Sequence, residues 1–391
     1  MMNSKVVEKM KELDISYERI VNSWKELIEI ESYTHDRESV QRVCNYIENR
    51  FKKMGLKTRV HKYEQAGPML IAEYGKGKAE DGIIIAGHMD TVFNLGFIKD
   101  YPFRVTDGKV YGPGVLDMKG GINLVFYILE LLIALDYQKP IKIIIAGDEE
   151  HGHPNSDQGK RILEESRGYK LAFNMETGLI DGSITVERKG RIACEVITHG
   201  KNAHAGANLN DGINAIQEMA HKIIKITELN KKYERATFSV GTIKGGTYPN
   251  TVPDHAEIEV DIRYLDVELK DLIEADMKAI AENCVVEGAT GETIFNPSFP
   301  PFSSKLNLKA FDFVNSISEE NGLGTLQSAS IGGSSDASFI SMAGVPCLCS
   351  MGVRGEWNHT NREYALVSST TERILLITDA ILKAEDIKSF L

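Results

Sequence analysis

The sequence predicts an α/β fold: a mixed, mostly parallel sheet flanked by helices, with a smaller ferredoxin-like α+β domain inserted into it. Two short apolar runs, residues 82–88 and Ile141–Ala146, end in glycine or polar residues, as strands buried on both faces do. Residues 118–135 lie between them and have the apolar spacing of a helix. Strands and helices that alternate in this way are typical of a sheet covered by helices.

The first part of the chain supplies further elements in order. Residues 17–31 and 37–54 have the spacing of two amphipathic helices, separated by the turn-like residues 32–36. Further strands of this sheet are predicted at 57–63, Met69–Tyr74 and 171–175. We therefore expect one helix-covered sheet to be assembled before residue 186.

The pattern changes after Val186. Strands are predicted at 191–199, 237–244, 256–265 and 292–295, and helices at 212–229 and 267–284. In chain order these elements give β-α-β-β-α-β, which is the ferredoxin-like order. Apolar and polar residues alternate along 237–244 and 256–265, so each of these strands should bury one face only. A two-layer domain is therefore expected at residues 187–301.

The sequence Asn-Pro-Ser-Phe-Pro-Pro-Phe at 296–302 is predicted to be a linker. Its prolines lack a backbone N–H and cannot continue a helix or a central strand. Helices at 308–321 and 368–384 and a strand at 345–350 follow it. Residues 1–186 and 302–391 are thus predicted to be two segments of one α/β domain.

Composition excludes several classes of protein. The 391 residues are 42% hydrophobic and 26% charged, as in ordinary globular domains, and the net charge of −11 disfavours a nucleic-acid or anionic membrane surface. The apolar stretch at 124–135 is shorter than the roughly 20 residues that span a bilayer. Five cysteines make no disulfide framework, and residues 1–11 lack the pattern of a signal peptide. We expect a cytoplasmic protein with no nucleic-acid or membrane partner.

Polar side chains gather just after the buried strands. His88 and Asp90 follow the first strand two residues apart, so that they face the same way and Asp90 can orient an imidazole that binds metal. Glu149 and Glu150 follow the strand Ile141–Ala146, where adjacent residues on extended chain face opposite ways. One of these carboxylates can therefore bind a metal ion while the other faces a water molecule.

Three more candidates lie in comparable positions: Asp117 in a loop before a helix, Glu176 after a strand-like stretch, and His359 far downstream. Groups at the carboxyl ends of strands converge on one crevice in an open α/β sheet. Imidazoles and carboxylates without thiolates suit zinc, manganese or cobalt. A bridging carboxylate can hold two such ions about 3.5–4 Å apart, an arrangement that generates hydroxide and polarises a carbonyl.

At these residues the sequence resembles the dinuclear zinc metallopeptidases and amidohydrolases, the family of glutamate carboxypeptidase, aminoacylase, acetylornithine deacetylase and succinyl-diaminopimelate desuccinylase. The resemblance covers nearly the whole chain and rests on five parts in the family's order. These are Gly87-His88-Met89-Asp90-Thr91-Val92, residues 112–121 around Asp117, Asp148-Glu149-Glu150, Glu176 and His359. The resemblance implies a zinc-peptidase-like catalytic domain, with residues 187–301 as a lid and dimerisation domain.

The resemblance also implies a role for each residue. The metal ligands would be a bridging Asp117, with His88 and Glu176 at one ion and Glu150 and His359 at the other. Asp90 would orient His88. Glu149 would take a proton from a metal-bound water, whose hydroxide attacks the amide carbonyl, and would pass that proton to the leaving nitrogen. Glutamate at position 176 is similar to the carboxypeptidase-type members.

Three lid residues are implied in the same way. His204, within Asn-Ala-His-Ala-Gly, resembles the lid histidine that stabilises the oxyanion, commonly from the partner subunit of a dimer. Asn250 and Arg263 match positions that grip the substrate's carboxylate, for which a planar guanidinium is a natural bidentate partner. Residues 332–337, Gly-Gly-Ser-Ser-Asp-Ala, resemble the family's glycine-rich loop near the catalytic centre.

Plain structural roles compete with some of these assignments. Arg263 lies on an alternating strand, where it could form a salt bridge. His151 and His153 follow the catalytic pair and are expected to be solvated loop residues. Cys347 and Cys349 lie in an apolar run and are expected to be buried core thiols rather than metal ligands.

These observations favour a hydrolase that uses two divalent ions, most readily Zn²⁺, with Co²⁺ or Mn²⁺ as alternatives. Its expected substrate is a short peptide or an N-acyl amino acid with a free carboxylate. A biosynthetic deacylase of an N-acylated amino acid is the alternative within the same chemistry. A non-catalytic scaffold is the alternative from another class, and the complete ligand set with Glu149 argues against it.

Overall fold

The computed structural model describes residues 4–296, 299–387 and 389–390. Its α-helices are α1 Ser4–Glu12, α2 Tyr17–Ile28, α3 Arg37–Lys53, α4 Phe97–Asp100, α5 Lys119–Ala134, α6 Gln158–Ser166, α7 Ala215–Lys232, α8 Leu269–Glu282, α9 Ser304–Glu320, α10 Ala337–Met342 and α11 Ser368–Lys383. Its strands are β1 Lys57–His61, β2 Met69–Tyr74, β3 Ile83–His88, β4 Arg104–Thr106, β5 Lys109–Tyr111, β6 Ile141–Ala146, β7 Leu171–Asn174, β8 Ile184–Arg188, β9 Gly190–His199, β10 Ala236–Gly245, β11 His255–Tyr264, β12 Thr290–Phe295, β13 Ser328–Ile331, β14 Cys347–Leu348, β15 Gly355–Glu356 and β16 Tyr364–Leu366.

The largest sheet has six strands in the order β1-β2-β6-β3-β7-β14. The pairs β6–β3, β3–β7 and β7–β14 are parallel, whereas β1–β2 and β2–β6 are antiparallel. The sheet is therefore mixed and mostly parallel, as the sequence predicts. Because β6, β3 and β7 are parallel neighbours, their carboxyl ends lie at the same edge.

Both faces of this sheet are buried, which explains the unbroken apolar runs in its central strands. In β3, Ile83 and Ile85 belong to a core on one face, and Ile84 belongs to a separate core on the other. The first core also receives the nearly all-apolar helix α5, which is buried along most of its length. Helices α6 and α10 contribute apolar side chains to the second core. Helices thus cover the two faces of the sheet.

Small strands complete this part of the molecule. The strands β15, β16, β5 and β4 form a four-stranded antiparallel sheet, and β13 pairs with β8. The sequence patterns did not predict these pieces, because strands of two to five residues carry too few positions to show a period.

The inserted residues form a four-stranded antiparallel sheet in the order β10-β11-β9-β12. Helix α7 joins its first two strands along the chain, and α8 joins its last two. This is the predicted ferredoxin-like order with one helical layer. Residues on β11 alternate between buried and more exposed, and the buried ones form a core with α7 and α8.

The chain divides into two compact units. One comprises Met1–Glu187, Phe302–Ile331 and Ser335–Leu391, and the other comprises Arg188–Pro301 with Gly332–Ser334. The short stretch Gly332–Ser334 belongs to the second unit although it lies far from the insertion in sequence. It is the first half of the glycine-rich loop.

The predicted fold class is confirmed, while several element boundaries differ. Helix α1 was not predicted, and the strand predicted at 345–350 is limited to Cys347–Leu348. Pro346 precedes this strand and has no N–H to donate, and Ser350 has a positive φ of 62° that ends it. Of the predicted linker at 296–302, Pro297 and Ser298 lie outside the described residues.

Among the described residues, none of the helices combines the length and apolar character that a bilayer-spanning segment needs.

Candidate metal centre

The candidate site lies at the carboxyl ends of the three central parallel strands. His88 is the last residue of β3, Glu149 and Glu150 follow β6, and Glu176 follows β7. Strand order places β3 between the other two, so that His88 lies between the two acidic segments. Asp117 precedes α5, and its peptide bond to Met118 is cis.

Asp117 is buried and faces two imidazoles with its two oxygens. Its Oδ1 lies 3.1 Å from Nε2 of His88, and its Oδ2 lies 3.1 Å from Nε2 of His359. Asn358 donates a hydrogen bond of 2.9 Å to the same Oδ2. One carboxylate therefore joins two imidazoles that lie 271 residues apart in the sequence, from 88 to 359.

Each imidazole has a second carboxylate beside it. Glu176 Oε1 is 3.5 Å from His88 Nε2, and Glu150 Oε2 is 3.0 Å from His359 Nε2. One ligand atom from each of His88, Asp117 and Glu150 lies within 4.8 Å of the other two, and the same holds for His88, Glu149 and Glu176. All five residues predicted as metal ligands thus meet in one cluster.

Asp90 is fully buried behind His88. The hydrogen-bonding partner of His88 Nδ1 is the backbone oxygen of Asp90 at 3.1 Å, while the Asp90 carboxylate lies 3.5 Å from that nitrogen. The two carboxylate oxygens accept hydrogen bonds from the backbone N–H groups of Glu149 and Glu150, at 3.3 and 3.1 Å. Asp90 therefore contacts both the imidazole and the turn that carries the two glutamates.

Glu149 is buried in a short 3₁₀ turn, Glu149–His151, directly after β6. Its Oε2 lies 3.8 Å from His88 Nε2. Burial raises the pKa of Glu149 well above its ordinary value; the charge of His88 opposes this, and Glu176, Asp336 and Glu150 add to it. A carboxyl with a raised pKa can hold a proton and release it, as a general base and acid must.

The oxygen and nitrogen atoms of this cluster are suitable ligands for divalent cations. Four acidic side chains surround two imidazoles, and Oε1 of Glu150 is buried without a hydrogen-bond partner among the described residues. Burial and the neighbouring Asp117 raise the pKa of Glu150 to about 7, while hydrogen bonds to Asp117 and Glu150 raise that of His359 to about 11. Several buried carboxylates side by side raise the free energy of the folded state unless cations compensate their negative charge. Oxygen and imidazole ligands of this kind suit zinc, cobalt or manganese.

Two buried charged residues near Asp117 have no role in the sequence-based prediction. Glu363 accepts hydrogen bonds from the backbone N–H groups of Gly114, Leu116 and Asp117, at 3.2, 2.8 and 3.0 Å. Lys119 donates a 2.6 Å hydrogen bond to the backbone oxygen of Ile30. Glu363 lies four residues after His359, but a lone glutamate in a polar loop gives no sequence signal of burial.

The structure contradicts the expectation for one of the two neighbouring histidines. His151 is exposed, as predicted, but His153 is only 6% exposed. Each of its ring nitrogens lies 2.6 Å from a carboxylate oxygen, Nδ1 from Asp148 and Nε2 from Asp336. His153 is therefore an internal residue held by two acids, and it follows Gly152, whose φ is positive. Cys347 and Cys349 are buried, as predicted.

The three predicted lid residues lie in the second unit. His204 and Asn250 lie on adjacent segments, because Ala205 N donates to Asn250 O and His204 pairs with Thr251. The Nδ1 atom of His204 accepts from the N–H groups of Gly206 and Ala207, at 3.1 and 3.2 Å. In the neutral ring the proton therefore lies on Nε2, which can donate to a ligand.

Arg263 is engaged within the lid unit. Its Nε donates to Asp261 at 2.8 Å, and its Nη1 donates to Gly332 O and Ser334 Oγ at 3.3 and 3.5 Å. The salt bridge considered for this strand position is therefore present. None of these hydrogen bonds uses Nη2, and the side chain keeps 29% of its surface exposed.

Comparison with known proteins agrees with this geometry. The model of peptidase family M20/M25/M40 matches residues 84–383, which is well over half of the chain. The chain belongs to this family. It is accordingly a metal-dependent hydrolase of the metallopeptidase and amidohydrolase class.

Relatives within the M20/M25/M40 family have more than one activity. Carboxypeptidase G2 of Pseudomonas sp. strain RS-16 is 28% identical over 374 residues, covering 93% of this chain and 88% of its own. Acetylornithine deacetylase of Pasteurella multocida is 30% identical over 268 residues, covering 61% and 65%. Both a peptidase and a deacylase are therefore among the proteins that this chain resembles.

Solved structures share the fold. Aminopeptidase PepT of Bacillus cereus superposes with a TM-score of 0.80 at 24% identity, covering 95% of this chain and 99% of its own. The YxeP protein of Bacillus subtilis, a dinuclear metal-binding peptidase of family M20, superposes with a TM-score of 0.67 at 18% identity, covering 95% and 99%. The M20/M25/M40 fold thus extends over nearly the whole chain.

Proposed function

We propose that this protein hydrolyses the amide bond of a short peptide or an N-acyl amino acid that bears a free carboxylate. One observation carries the proposal. Asp117 presents one oxygen to each of two imidazoles, each imidazole has its own second carboxylate, and Glu149 lies beside the cluster. This is the donor arrangement needed by a pair of metal ions with a proton carrier next to it.

The ligands of the two ions follow from the contacts. His88, Glu176 and Oδ1 of Asp117 would hold one ion, and His359, Glu150 and Oδ2 of Asp117 would hold the other. We propose Zn²⁺ as the native metal, since mixed imidazole and carboxylate sets are typical of it, with Co²⁺ or Mn²⁺ as substitutes. When bound, such ions supply Lewis-acid polarisation of the scissile carbonyl and lower the pKa of water.

Glu149 is the proposed proton carrier. Its carboxylate would take a proton from the attacking water and deliver it to the leaving nitrogen, so that the amine departs neutral. Its burial and its acidic neighbours raise its affinity for this proton. Asp90 supports the step by fixing the turn backbone at Glu149 and by contacting His88.

Lid residues are proposed to complete the site. The Nε2–H of His204 would donate a hydrogen bond to the oxyanion that develops at the carbonyl. Asn250 lies on the segment paired with that of His204, and its amide is proposed to bind the substrate. Arg263 would bind the substrate's carboxylate through Nη2, while Asp261 holds its Nε.

A peptidase of the carboxypeptidase type is the preferred form of this function, and a biosynthetic deacylase is the alternative. Glu176 and the extensive similarity to a carboxypeptidase support the first. Similarity to acetylornithine deacetylase supports the second.

We also propose that the protein forms a homodimer through the lid. A cytoplasmic location is proposed as well. The lid carries exposed large apolar side chains, among them Ile224 on α7 and Ile243 on β10, which a partner could cover. The five cysteines are present as thiols, which suits a reducing compartment. Light scattering on the purified protein measures the mass of the assembly, and a mass of one chain would contradict the dimer.

A substrate screen tests the proposed reaction. The protein, loaded with Zn²⁺, Co²⁺ or Mn²⁺, is assayed on dipeptides and on acetylated and succinylated amino acids, each as the free acid and as the C-terminal amide. We expect hydrolysis of free acids and at least tenfold lower kcat/KM for amides. Arg263→Ala should abolish that preference, with Arg235→Ala on the lid surface as the matched control. Preferred cleavage of amides would refute the carboxylate role.

Glu149→Gln tests the proton carrier. We expect both ions to remain bound and kcat to fall by about 10²–10⁴, the usual contribution of a general base or acid. Glu80→Gln, which changes an exposed carboxylate, is the control. Full activity of Glu149→Gln, or loss of both ions from it, would overturn the assignment.

A further inference from the structure

His153 lies in an arrangement that the proposed reaction does not use directly. It is buried between Asp148 and Asp336, which are 3% exposed each, and both of its ring nitrogens are 2.6 Å from their carboxylates. Phe339 packs beside the ring, with centroids 5.8 Å apart. The imidazole is thus enclosed by two acids and an aromatic ring.

The contacts of this imidazole indicate which protonation state fits the site. A neutral ring has one N–H and one lone pair, and the lone pair would then face a carboxylate at 2.6 Å. With a proton on each nitrogen, the ring donates to both acids and compensates buried negative charge. The geometry therefore favours an imidazolium that bridges the two acids. Its backbone has a positive φ of 59°, which a residue other than glycine adopts only when its surroundings hold it.

The bridge is attached to the turn that carries the catalytic glutamates. Asp148 immediately precedes Glu149, and its Oδ2 also accepts a 2.7 Å hydrogen bond from Ser156. His153 N donates to Asp148 O, and Gly152 N donates to Glu149 O, so that residues 148–153 form one closed turn. Asp336, 183 residues further along the chain, holds the other side of the ring at the start of α10.

We propose that His153 is a positioning residue for Glu149, fixing the turn at residues 148–153 by bridging Asp148 to Asp336. This rests on the proposed function in so far as Glu149 carries the proton. Asp336 is a suitable anchor, because it is buried, lies outside the turn and contacts the ring of His153 at 2.6 Å. Without the bridge, the turn would lose its connection to α10 and Glu149 would sample several orientations.

Kinetics on His153→Gln provide the first test. Both N–H donors of glutamine lie on one nitrogen, whereas the imidazole reaches the two acids from two separate nitrogens. We therefore expect the bridge to be lost and kcat to fall about 10- to 100-fold, as is typical when supporting groups behind a metal site are changed. KM should change less than threefold and the metal content should stay the same. Asp336→Asn removes the opposite anchor and should give the same kcat defect, with the double variant no worse than either single one. His151→Gln, which changes the exposed histidine two residues away, is the matched control and should keep wild-type kcat.

Two measurements do not depend on activity and so separate this inference from the proposed function. In ¹⁵N-histidine NMR spectra of the full chain, the resonances that disappear in His153→Gln should show both ring nitrogens protonated. Amide hydrogen exchange at residues 148–153 should be faster in His153→Gln and unchanged in His151→Gln. A neutral ring, unchanged exchange, or a variant that is less stable but has wild-type kcat per folded molecule would each overturn the positioning role. If the wild-type protein is inactive, the proposed function is refuted. The NMR and hydrogen-exchange measurements then still decide whether His153 bridges the two acids and fixes the turn.

Discussion

At the scale of single residues, buried carboxyl groups differ in pKa because their neighbours differ. Burial would raise the pKa of Asp117, but hydrogen bonds to His359 and His88 bring it well below its ordinary range. Glu363, also buried, has its pKa raised to about 8 by burial and by Asp117, although three backbone N–H groups oppose this. The charged form of Asp117 is thus favoured by its hydrogen bonds, whereas Glu363 serves as an acceptor for the loop that precedes α5.

Glu363→Gln should weaken metal binding. Glutamine is the same size, but it offers a single acceptor oxygen, and its NH₂ group would face the N–H groups that the carboxylate now satisfies. The loop that positions Asp117 should loosen, and metal affinity should fall about 10- to 100-fold. Competition titration with a chromophoric chelator measures this, with Glu80→Gln as control. Wild-type affinity in Glu363→Gln would contradict a role for Glu363 in holding the loop.

At the scale of elements, the site depends on how closely α5 approaches the central sheet. A Cβ atom at Gly121 in the first turn of α5 would lie 1.9 Å from the backbone oxygen of Met175. Met175 follows β7 and immediately precedes Glu176. Glycine at 121 therefore allows the helix that follows Asp117 to pack directly against the strand end that carries another ligand.

Gly121→Ala should separate α5 from β7. Because the obstructing atom belongs to the backbone, we expect a loss of about 1–3 kcal/mol in the free energy of unfolding, the usual cost of overpacking. Metal affinity should fall as well, since Glu176 would move relative to Asp117. Denaturant unfolding and metal titration measure the two effects. Gly241→Ala is the control, because a Cβ there meets only Glu259 O at 3.9 Å; equal stability of the two variants would refute the packing argument.

At the scale of the whole molecule, an acidic chain concentrates negative charge in its interior. The net charge is −11, and the buried cluster alone contains Asp117, Glu149, Glu150 and Glu176. Such a cluster destabilises the folded state unless cations or protons neutralise it. We therefore expect the stability of this centre to depend on bound metal.

Metal removal should destabilise the unit that contains the site. Binding to the folded state contributes about 3 kcal/mol at a hundredfold excess over Kd, which corresponds to roughly 5 °C or more in Tm. We expect a chelator to lower Tm by that amount and added Zn²⁺ to restore it. Asp117→Asn, which weakens the bridge between the two ion sites, should show a much smaller response to chelation. A chelated wild type with an unchanged Tm would contradict the dependence on metal.

Sequence alone determined the fold class. Apolar residues that recur with a period of 2 or 3.6, and runs that are apolar throughout, show directly which faces of a segment are buried. It also located candidate ligands at strand ends, since His88 ends a strand and Glu150 and Glu176 follow strands, and the pattern of each strand is local. The roles of these residues, and those of His204, Asn250 and Arg263, stay predictions. Tertiary structure alone decided the partners of Glu363 and His153. Glu363 meets Asp117 across 246 residues, and His153 meets Asp336 across 183. A polar residue in a loop looks the same in sequence when it is solvated or buried, because burial depends on what the fold brings against it.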